Sequence, residues 1–438
     1  MRKRAFLMGL LAAVCLLTAC DMRTVDEMYC LPKRPEAYDN LQSAIDEAMD
    51  GKEYSSPLSG ENLQTVQMVD LDGDGEREYL LFAKSESDKP LQMLIFRREG
   101  EKYTLFQTVE SNGTAFDLVE YVQMDGRGGM EIVVGRQLGG QLLRAISIYT
   151  CTEGQMEQVM TTNYTKYLTC DLNEDGRGEV LVLRPGQTDT DKGVAELYSM
   201  DNGAVERSNE APMSGPADRL KRILKGKIAG GTPGVFVGSA VDETAIITDV
   251  YALVDGVLTN VSLSHESGTS VQTLRNYYVY AEDIDQDGEV ELPALIPMQP
   301  PEEAADYSQY LIRWYSMDSN GKEHGKMYTY HNFVNGWYLQ LDAAWAQRIC
   351  VVQRGSACQF FLWDTSFTKA ESVFTVYTLT GQNREAQALE DNRFVLHREE
   401  TAIYAAHLDV ASGNLPMSRE KLTESFNMIR LDWKTGEM

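Results

Sequence analysis

The sequence is poor in the residues that catalysis and nucleic-acid binding usually draw on. Its five histidines, His265, His324, His331, His397 and His407, form no HExxH pair, and no GxSxG elbow, P-loop or GxGxxG follows a predicted strand. Sites assembled from distant residues escape such patterns, so this scarcity lowers the weight of an enzyme reading without closing it. Cysteine is scarce as well: seven residues in 438, with no CxxC pair, which removes the usual zinc and dithiol motifs. Basic residues number 40 against 66 acidic ones, a formal charge of −26, which argues against nucleic acid and anionic lipid headgroups as partners. Beyond the N-terminus no apolar run approaches the ~20 residues that span a bilayer.

The N-terminus carries an address. "MRKR" is a basic start, "AFLMGLLAAVCLL" an apolar run, and "LTAC" ends it at Cys20. This reads as a secretory signal over 1–19. Leu17-Thr18-Ala19-Cys20 looks like a bacterial lipobox, which implies diacylation of Cys20 as the mature N-terminus. An ordinary cleaved signal or a short anchor is the plainer alternative. Loss of Arg2, Lys3 and Arg4 leaves 37 basic against 66 acidic residues, a charge of −29. Residues 20–34 read as a tether and 35–60 as a helix with its connector. Pro35 suits the first turn, Gly51 the C′ position, and Tyr38, Leu41, Ile45 and Met49 fall on one face.

"DLDGDGEREYLLF", from Asp70 to Phe82, places three aspartates and two glycines in six residues and then turns apolar. An EF-hand is excluded, because position 12 is Leu81 and both flanks read as strands. The pattern returns in "DLNEDGRGEVLVL" from 171 and "DIDQDGEVEL" from 283. Each copy holds acid or amide at positions 1, 3 and 5, glycine at 6 and glutamate at 9. The expected ligands of a hard cation such as Ca²⁺ are therefore Asp70, Asp72, Asp74 and Glu78; Asp171, Asn173, Asp175 and Glu179; and Asp283, Asp285, Asp287 and Glu291. Glu76, Arg177 and Glu289, at position 7, would contribute backbone carbonyls. Asn173 leaves its loop one charge short, so that loop is expected to bind most weakly. A fourth copy, "QMDGRGGMEIVVG" from 123, has Gln123 and Arg127 in place of two carboxylates and is expected to be empty. Asx-type turns that need no metal are the alternative.

The four copies start at 70, 123, 171 and 283, and the last gap is twice a period of 56. A missing copy falls near 226, in "GKIAGGTPGVFVGS", and weaker ones at 340 and 385, giving seven slots about 52 residues apart. Short apolar strands with turn signals between them, three or four per slot, are the composition of a β-propeller blade. The predicted fold is all-β: a propeller over 61–438, seven-bladed on this count, after the N-terminal helix. A large β-sandwich with incidental acidic turns is the alternative.

The three acidic copies resemble FG-GAP/VCBS-type repeats, the blades of integrin-α-like propellers. That resemblance implies Ca²⁺ bound in the loop between the first two strands of a blade, on one rim. It is specific over about 40 residues of loop and strand. The chain as a whole resembles bacterial lipoproteins, which implies no activity.

Three further features remain. "RLKRILKGK" (219–227) has Leu220, Ile223 and Leu224 at helical spacing and predicts a short amphipathic helix, or a dock for an acidic partner. Cys350 and Cys358 flank a possible hairpin turn at Arg354-Gly355, equidistant from it, either as a disulfide or as two buried thiols. Aromatics crowd 307–345: Tyr307, Tyr310, Trp314, Tyr315, Tyr328, Tyr330, Phe333, Trp337, Tyr338 and Trp345. They suit strand packing, or a carbohydrate- or protein-binding surface where exposed. Together these readings describe a cell-surface lipoprotein, anchored through Cys20 to the outer face of the cell membrane, or to an outer membrane if the envelope has one. Its calcium-stabilised propeller would act as a protein- or glycan-binding module rather than an enzyme. The rivals are an extracytoplasmic glycan-active hydrolase or lyase using acids in a central channel, and a structural component of an envelope complex.

Overall fold

The computed structural model describes residues 36–139, 143–186, 192–277, 279–301, 309–409 and 417–430. The proposed signal, Cys20, the tether, Cys30, Pro35 and Tyr307 lie outside the described residues, as does the side chain of Tyr38. No helix among the described residues is long and apolar enough to cross a membrane.

The chain divides into two compact units. Described residues 36–56, 64–69 and 77–112 form the first; 57–63, 70–76 and those from 113 onward form the second. In the first, one antiparallel sheet is built from Lys52–Tyr54, Val66–Val69, Glu78–Ser85, Leu91–Glu99 and Lys102–Ser111. Helix α1 (Glu36–Ala48) lays Leu41 and Ile45, one turn apart, on Leu81, Leu94 and Phe96 of this sheet.

The second unit holds five antiparallel sheets in chain order. Sheet two contains Ala115–Val122, Glu131–Gly139, Leu143–Thr152 and Gln155–Asn163; sheet three, Lys166–Cys170, Glu179–Arg184, Val194–Asp201 and Ala204–Pro212. Sheet four contains Leu220–Lys227, Pro233–Ala240, Ile246–Val254 and Val257–Asn260. Sheet five contains Leu292–Pro297, Tyr310–Met317, Glu323–Asn332 and Trp337–Leu341, and Phe426–Met428 returns from the chain end to pair beside the last of these. Sheet six contains Ile349–Arg354, Ala357–Trp363, Ala370–Thr380, Ala402–Leu408 and Phe394–Arg398, in that spatial order.

Local chemistry explains the repetition. Glu153-Gly154, Asn202-Gly203 and Asp255-Gly256 close the third-to-fourth-strand hairpins of sheets two, three and four, with both residues of each pair at positive φ. That is the two-residue turn whose twist matches paired strands. The second strands are apolar on both faces because both faces are covered. In Glu179–Arg184, Leu181 and Leu183 pack toward Val235 and Val237 of sheet four, while Val180 and Val182 pack toward Val133 and Ile146 of sheet two. Phe236 then faces Leu292 and Tyr315 of sheet five, and sheets five and six share Trp337, Phe360 and Phe374. Consecutive four- to five-stranded meanders packed face to face are consistent with a β-propeller-like fold.

Several expectations are corrected. Six sheets stand among the described residues, and the slot near 385 founds none of its own. Its strand Phe394–Arg398 pairs with Ala402–Leu408, which pairs with Ala370–Thr380 of sheet six. The basic stretch is not a helix but strand Leu220–Lys227. Ile223 packs toward sheet three and Leu224 toward sheet five, opposite faces that only a period of two allows. Cys350 and Cys358 are not cross-strand partners. The turn places Arg354 opposite Ala357, so Cys350 faces Phe361 and Cys358 faces Gln353.

Both thiols are free and buried, and burial pushes each up to about 12. Iodoacetamide at pH 8 is therefore expected to leave Cys350 and Cys358 unmodified in the native protein and to alkylate both after denaturation without reductant. Peptide mass mapping checks this, and a 350–358 disulfide peptide would contradict it.

Candidate functional site

The acidic turns beginning at 70, 123, 171 and 283 repeat one set of hydrogen bonds. Position 1 accepts from the position 6 glycine amide at 3.0 Å in three of them: Gly75 to Asp70, Gly176 to Asp171 and Gly288 to Asp283. Position 3 accepts from the position 5 amide, with Asp74 donating to Asp72, Arg127 to Asp125, Asp175 to Asn173 and Asp287 to Asp285. Position 5 accepts from the position 7 amide, at Asp74, Asp175 and Asp287. The glycine at position 6 holds φ between 80° and 95° in all four turns, a region other residues resist.

The glutamate at position 9 has a role that sequence reasoning missed. Glu131 accepts from the Met124 amide at 2.7 Å, Glu179 from Leu172 at 2.9 Å and Glu291 from Ile284 at 3.1 Å. One carboxylate oxygen thus closes each of these turns from inside. The degenerate copy does this as well as the others, so this glutamate is structural before it is anything else. In the first unit Glu78 opens its strand, buried, with Arg97 3.4 Å away.

The second oxygen of this glutamate separates the copies. In the degenerate turn Glu131 Oε1 accepts from Thr150 at 3.0 Å. Glu291 Oε1 is buried with no hydrogen-bond partner among the described residues, and the Glu291 side chain is fully buried. Oxygens of Asp283, Asp285 and Glu291 lie within 4.8 Å of one another, and burial, followed by the charges of Asp285 and Asp287, raises the Glu291 carboxyl to about 8. An orphaned buried oxygen facing two more carboxylates fits a hard divalent cation. Beside it, Lys326 from strand Glu323–Asn332 donates to Asp287 at 2.5 Å and Glu289 at 3.0 Å, and stands 4.0 Å from Glu291 Oε1. Its ammonium holds Asp287 below the usual carboxylate range.

The other turns differ. Asp171 Oδ1 is also buried without a hydrogen bond among the described residues, but Asp175 is turned onto the Arg177 guanidinium at 2.7 Å. Arg177, expected to offer its carbonyl, also brings its side chain. With Asn173 at position 3, this turn gathers fewer acidic oxygens. At 70–76, oxygens of Asp70 and Asp72 lie within 4.8 Å of each other. In the degenerate turn Arg127 Nε stands 3.5 Å from Asp125, and its side chain is exposed.

Buried acids outside the turns are structurally satisfied. Asp249 accepts from Ser214, Gly215, Asn260 and Ser270; Glu282 pairs with Arg222; and Glu196 pairs with Arg184 and Arg207. Within the aromatic segment, Trp314, Tyr315, Tyr330, Trp337 and Trp345 are buried, Tyr328, Phe333 and Tyr338 are half-buried, and Tyr310 is exposed. Tyr310 and Phe333 line a cavity of about 320 Å³ in the second unit, formed by residues of sheets five and six.

No family model matches the chain, and no curated protein matches it. Among solved structures it is similar to an exotype rhamnogalacturonan lyase, YesX, at 13% identity and a TM-score of 0.31, over 74% of this chain and 65% of the lyase's. It is also similar to a protein from Lactobacillus plantarum, at 9% identity and a TM-score of 0.27, over 73% of this chain and 86% of the other. The match thus spans less than two thirds of the lyase's length, and at this degree of superposition neither neighbour's activity bears on this chain.

Glu131→Ala is expected to destabilise the protein by about 1–3 kcal/mol, because it leaves the Met124 amide and Thr150 without their acceptor. The loss should be equal with Ca²⁺ and with EDTA. Urea unfolding in both conditions checks this; a calcium-dependent difference would mean that the degenerate turn also holds an ion.

Proposed function

We propose that this chain is an exported, lipid-anchored binding module whose β-propeller-like fold is stabilised by Ca²⁺. The observation that carries the calcium part is the buried, unbonded Glu291 Oε1 facing Asp283 and Asp285. The other ligands follow from the repeated turn: Asp70, Asp72 and Asp74 around the first ion, and Asp171, Asn173, Asp175 and Glu179 around the second, with the carbonyls of Glu76, Arg177 and Glu289 at position 7. A divalent cation there would ionise the raised Glu291 carboxyl and offset repulsion among its neighbours. The binding part is supported by the cavity of sheets five and six, lined by aromatic and amide side chains. A seven-bladed count would require a blade beyond the six sheets. Lipid on Cys20, at the outer face of a bacterial membrane, is supported by the N-terminal sequence alone.

Calorimetric titration of the chelator-stripped protein tests the calcium reading. Ca²⁺ should raise the melting temperature, by the equivalent of about 2.7 kcal/mol per site at a hundredfold excess over Kd. Asp72→Ala should remove one site, and Asp125→Ala none. Lys326→Met should tighten binding at 283–291 about tenfold, since the ion no longer competes with a resident ammonium. No saturable binding and no EDTA effect on melting would refute calcium.

Cys20→Ala should release the protein from the membrane fraction or leave it unprocessed. A variant that stays membrane-bound and is processed at the same place would refute the lipid anchor.

A further inference from the structure

The described residues lining the cavity of sheets five and six carry no formal charge. The cavity is formed by Tyr277, by residues 295–335 of sheet five and its last turn, and by Gln353 and Gly355 of sheet six. None of the thirteen described residues that line it is Asp, Glu, Lys or Arg. The lining histidine, His331, is buried and pushed down to about 3 by loss of solvation, so it is neutral at physiological pH. Among the described residues the lining thus holds no ion partner for an ionic ligand of either sign.

What the lining offers is of two kinds. Tyr277 and Tyr310 are 42% and 40% exposed, and Tyr277 meets Phe333 ring to ring at 5.5 Å. Opposite chemistry comes from a chain of amides. Asn332 donates to Gln353 at 3.1 Å and accepts from the backbone and side chain of Asn335, and Gln353 donates to the Gly355 carbonyl at 2.6 Å. This chain bridges sheets five and six and fixes the amide orientations before any ligand arrives. Each side-chain amide carries two donors and an acceptor oxygen with two lone pairs; for Gln353 these bonds use one donor and one lone pair. Rings with apolar faces beside fixed donor–acceptor pairs match a ring that is apolar on its C–H face and hydroxylated at its edge.

We propose that this cavity binds an uncharged saccharide, with the rim rings of Tyr277, Tyr310 and Phe333 against the sugar face and the Asn332–Asn335–Gln353 amides on its hydroxyls. The cavity volume, about 320 Å³, suits one or two sugar rings at the end of a chain. This inference rests on the reading of the chain as a binding module and names its ligand.

The test uses the full chain in detergent on an array of neutral oligosaccharides, acidic oligosaccharides and proline-rich peptides, followed by calorimetry on the best neutral sugar. The expected result is binding to neutral sugars, weakened at least tenfold in Tyr310→Ala with unchanged melting temperature, weakened at least tenfold in Gln353→Glu, and unaffected in Asp125→Ala. Gln353→Glu keeps the volume and adds a charge but loses the donation to the Gly355 carbonyl, so the exposed Tyr310 is the variant that separates lining chemistry from folding. Should neutral sugars bind with both variants at wild-type affinity, the cavity assignment falls while the module reading stands. Capture of acidic sugars or peptides alone overturns the saccharide assignment. No binding to any member of the array overturns it and removes the support that the cavity lends to the module reading.

Discussion

The structure turns on one backbone hydrogen bond that recurs between successive turns. The position 8 amide of one turn donates to the position 1 carbonyl of the turn before: Met130 to Asp70 at 3.0 Å and Gly178 to Gln123 at 2.7 Å. Val290 donates to Lys227 at 2.8 Å, where Lys227 stands at the head of the acid-free turn. Each such bond contributes only about 0.5–1.5 kcal/mol. Its consequence is larger than its energy, because at these three junctions it fixes a turn against its neighbour. The close approach tolerates little side chain. A Cβ on Gly129 would stand 2.5 Å from the Leu71 carbonyl oxygen, and one on Gly178 would stand 2.1 Å from Val122 Cγ2. Glycine there is a demand of the neighbouring turn, beyond the turn's own need at position 6.

The same geometry concentrates charge. A turn that points positions 1, 3 and 5 inward to cap its own amides brings carboxylates within a few ångströms, whatever else they do. The copies relieve this differently. Arg177 lies along Asp175, Lys326 reaches across from the third strand of sheet five, and Thr150 satisfies Glu131 where position 1 is no longer acidic. The acid-free turn between Lys227 and Pro233 keeps the contact to the next repeat without the charge, and its Gly230 amide donates to Glu289. The backbone contact between turns therefore does not depend on acidic side chains, since the turn at Lys227 makes it with none.

Away from the turns, packing decides. Sheets two to four bury mostly aliphatic strands, whose Val, Ile and Leu alternate between two neighbours. Sheets five and six bury large rings instead, with Phe360 stacked on Phe374 at 4.4 Å and Tyr330 edge-on to Phe360 at 5.2 Å. The neutral cavity lies beside this ring-rich core, and Tyr330 belongs to both.

Short windows of sequence carry the local chemistry of this protein: four related turns, the glycines that allow them and the strand runs. These are readable because each depends on residues within about ten positions of one another. Tertiary structure decided what no short window contains. Strand Leu220–Lys227 carries helical spacing, yet pairing with Pro233–Ala240 puts Ile223 and Leu224 on opposite faces. The strand near 385 carries a repeat-like spacing, yet edge pairing absorbs it into sheet six. Glu291 and Lys326 are 35 residues apart, and only the fold of sheet five brings an ammonium to an acidic turn. The cavity joins Tyr277, Tyr310, Asn332 and Gln353 across 76 residues, so the chemistry of its described lining is invisible along the chain. Composition records how many charges a protein has; where they fall is set by folding.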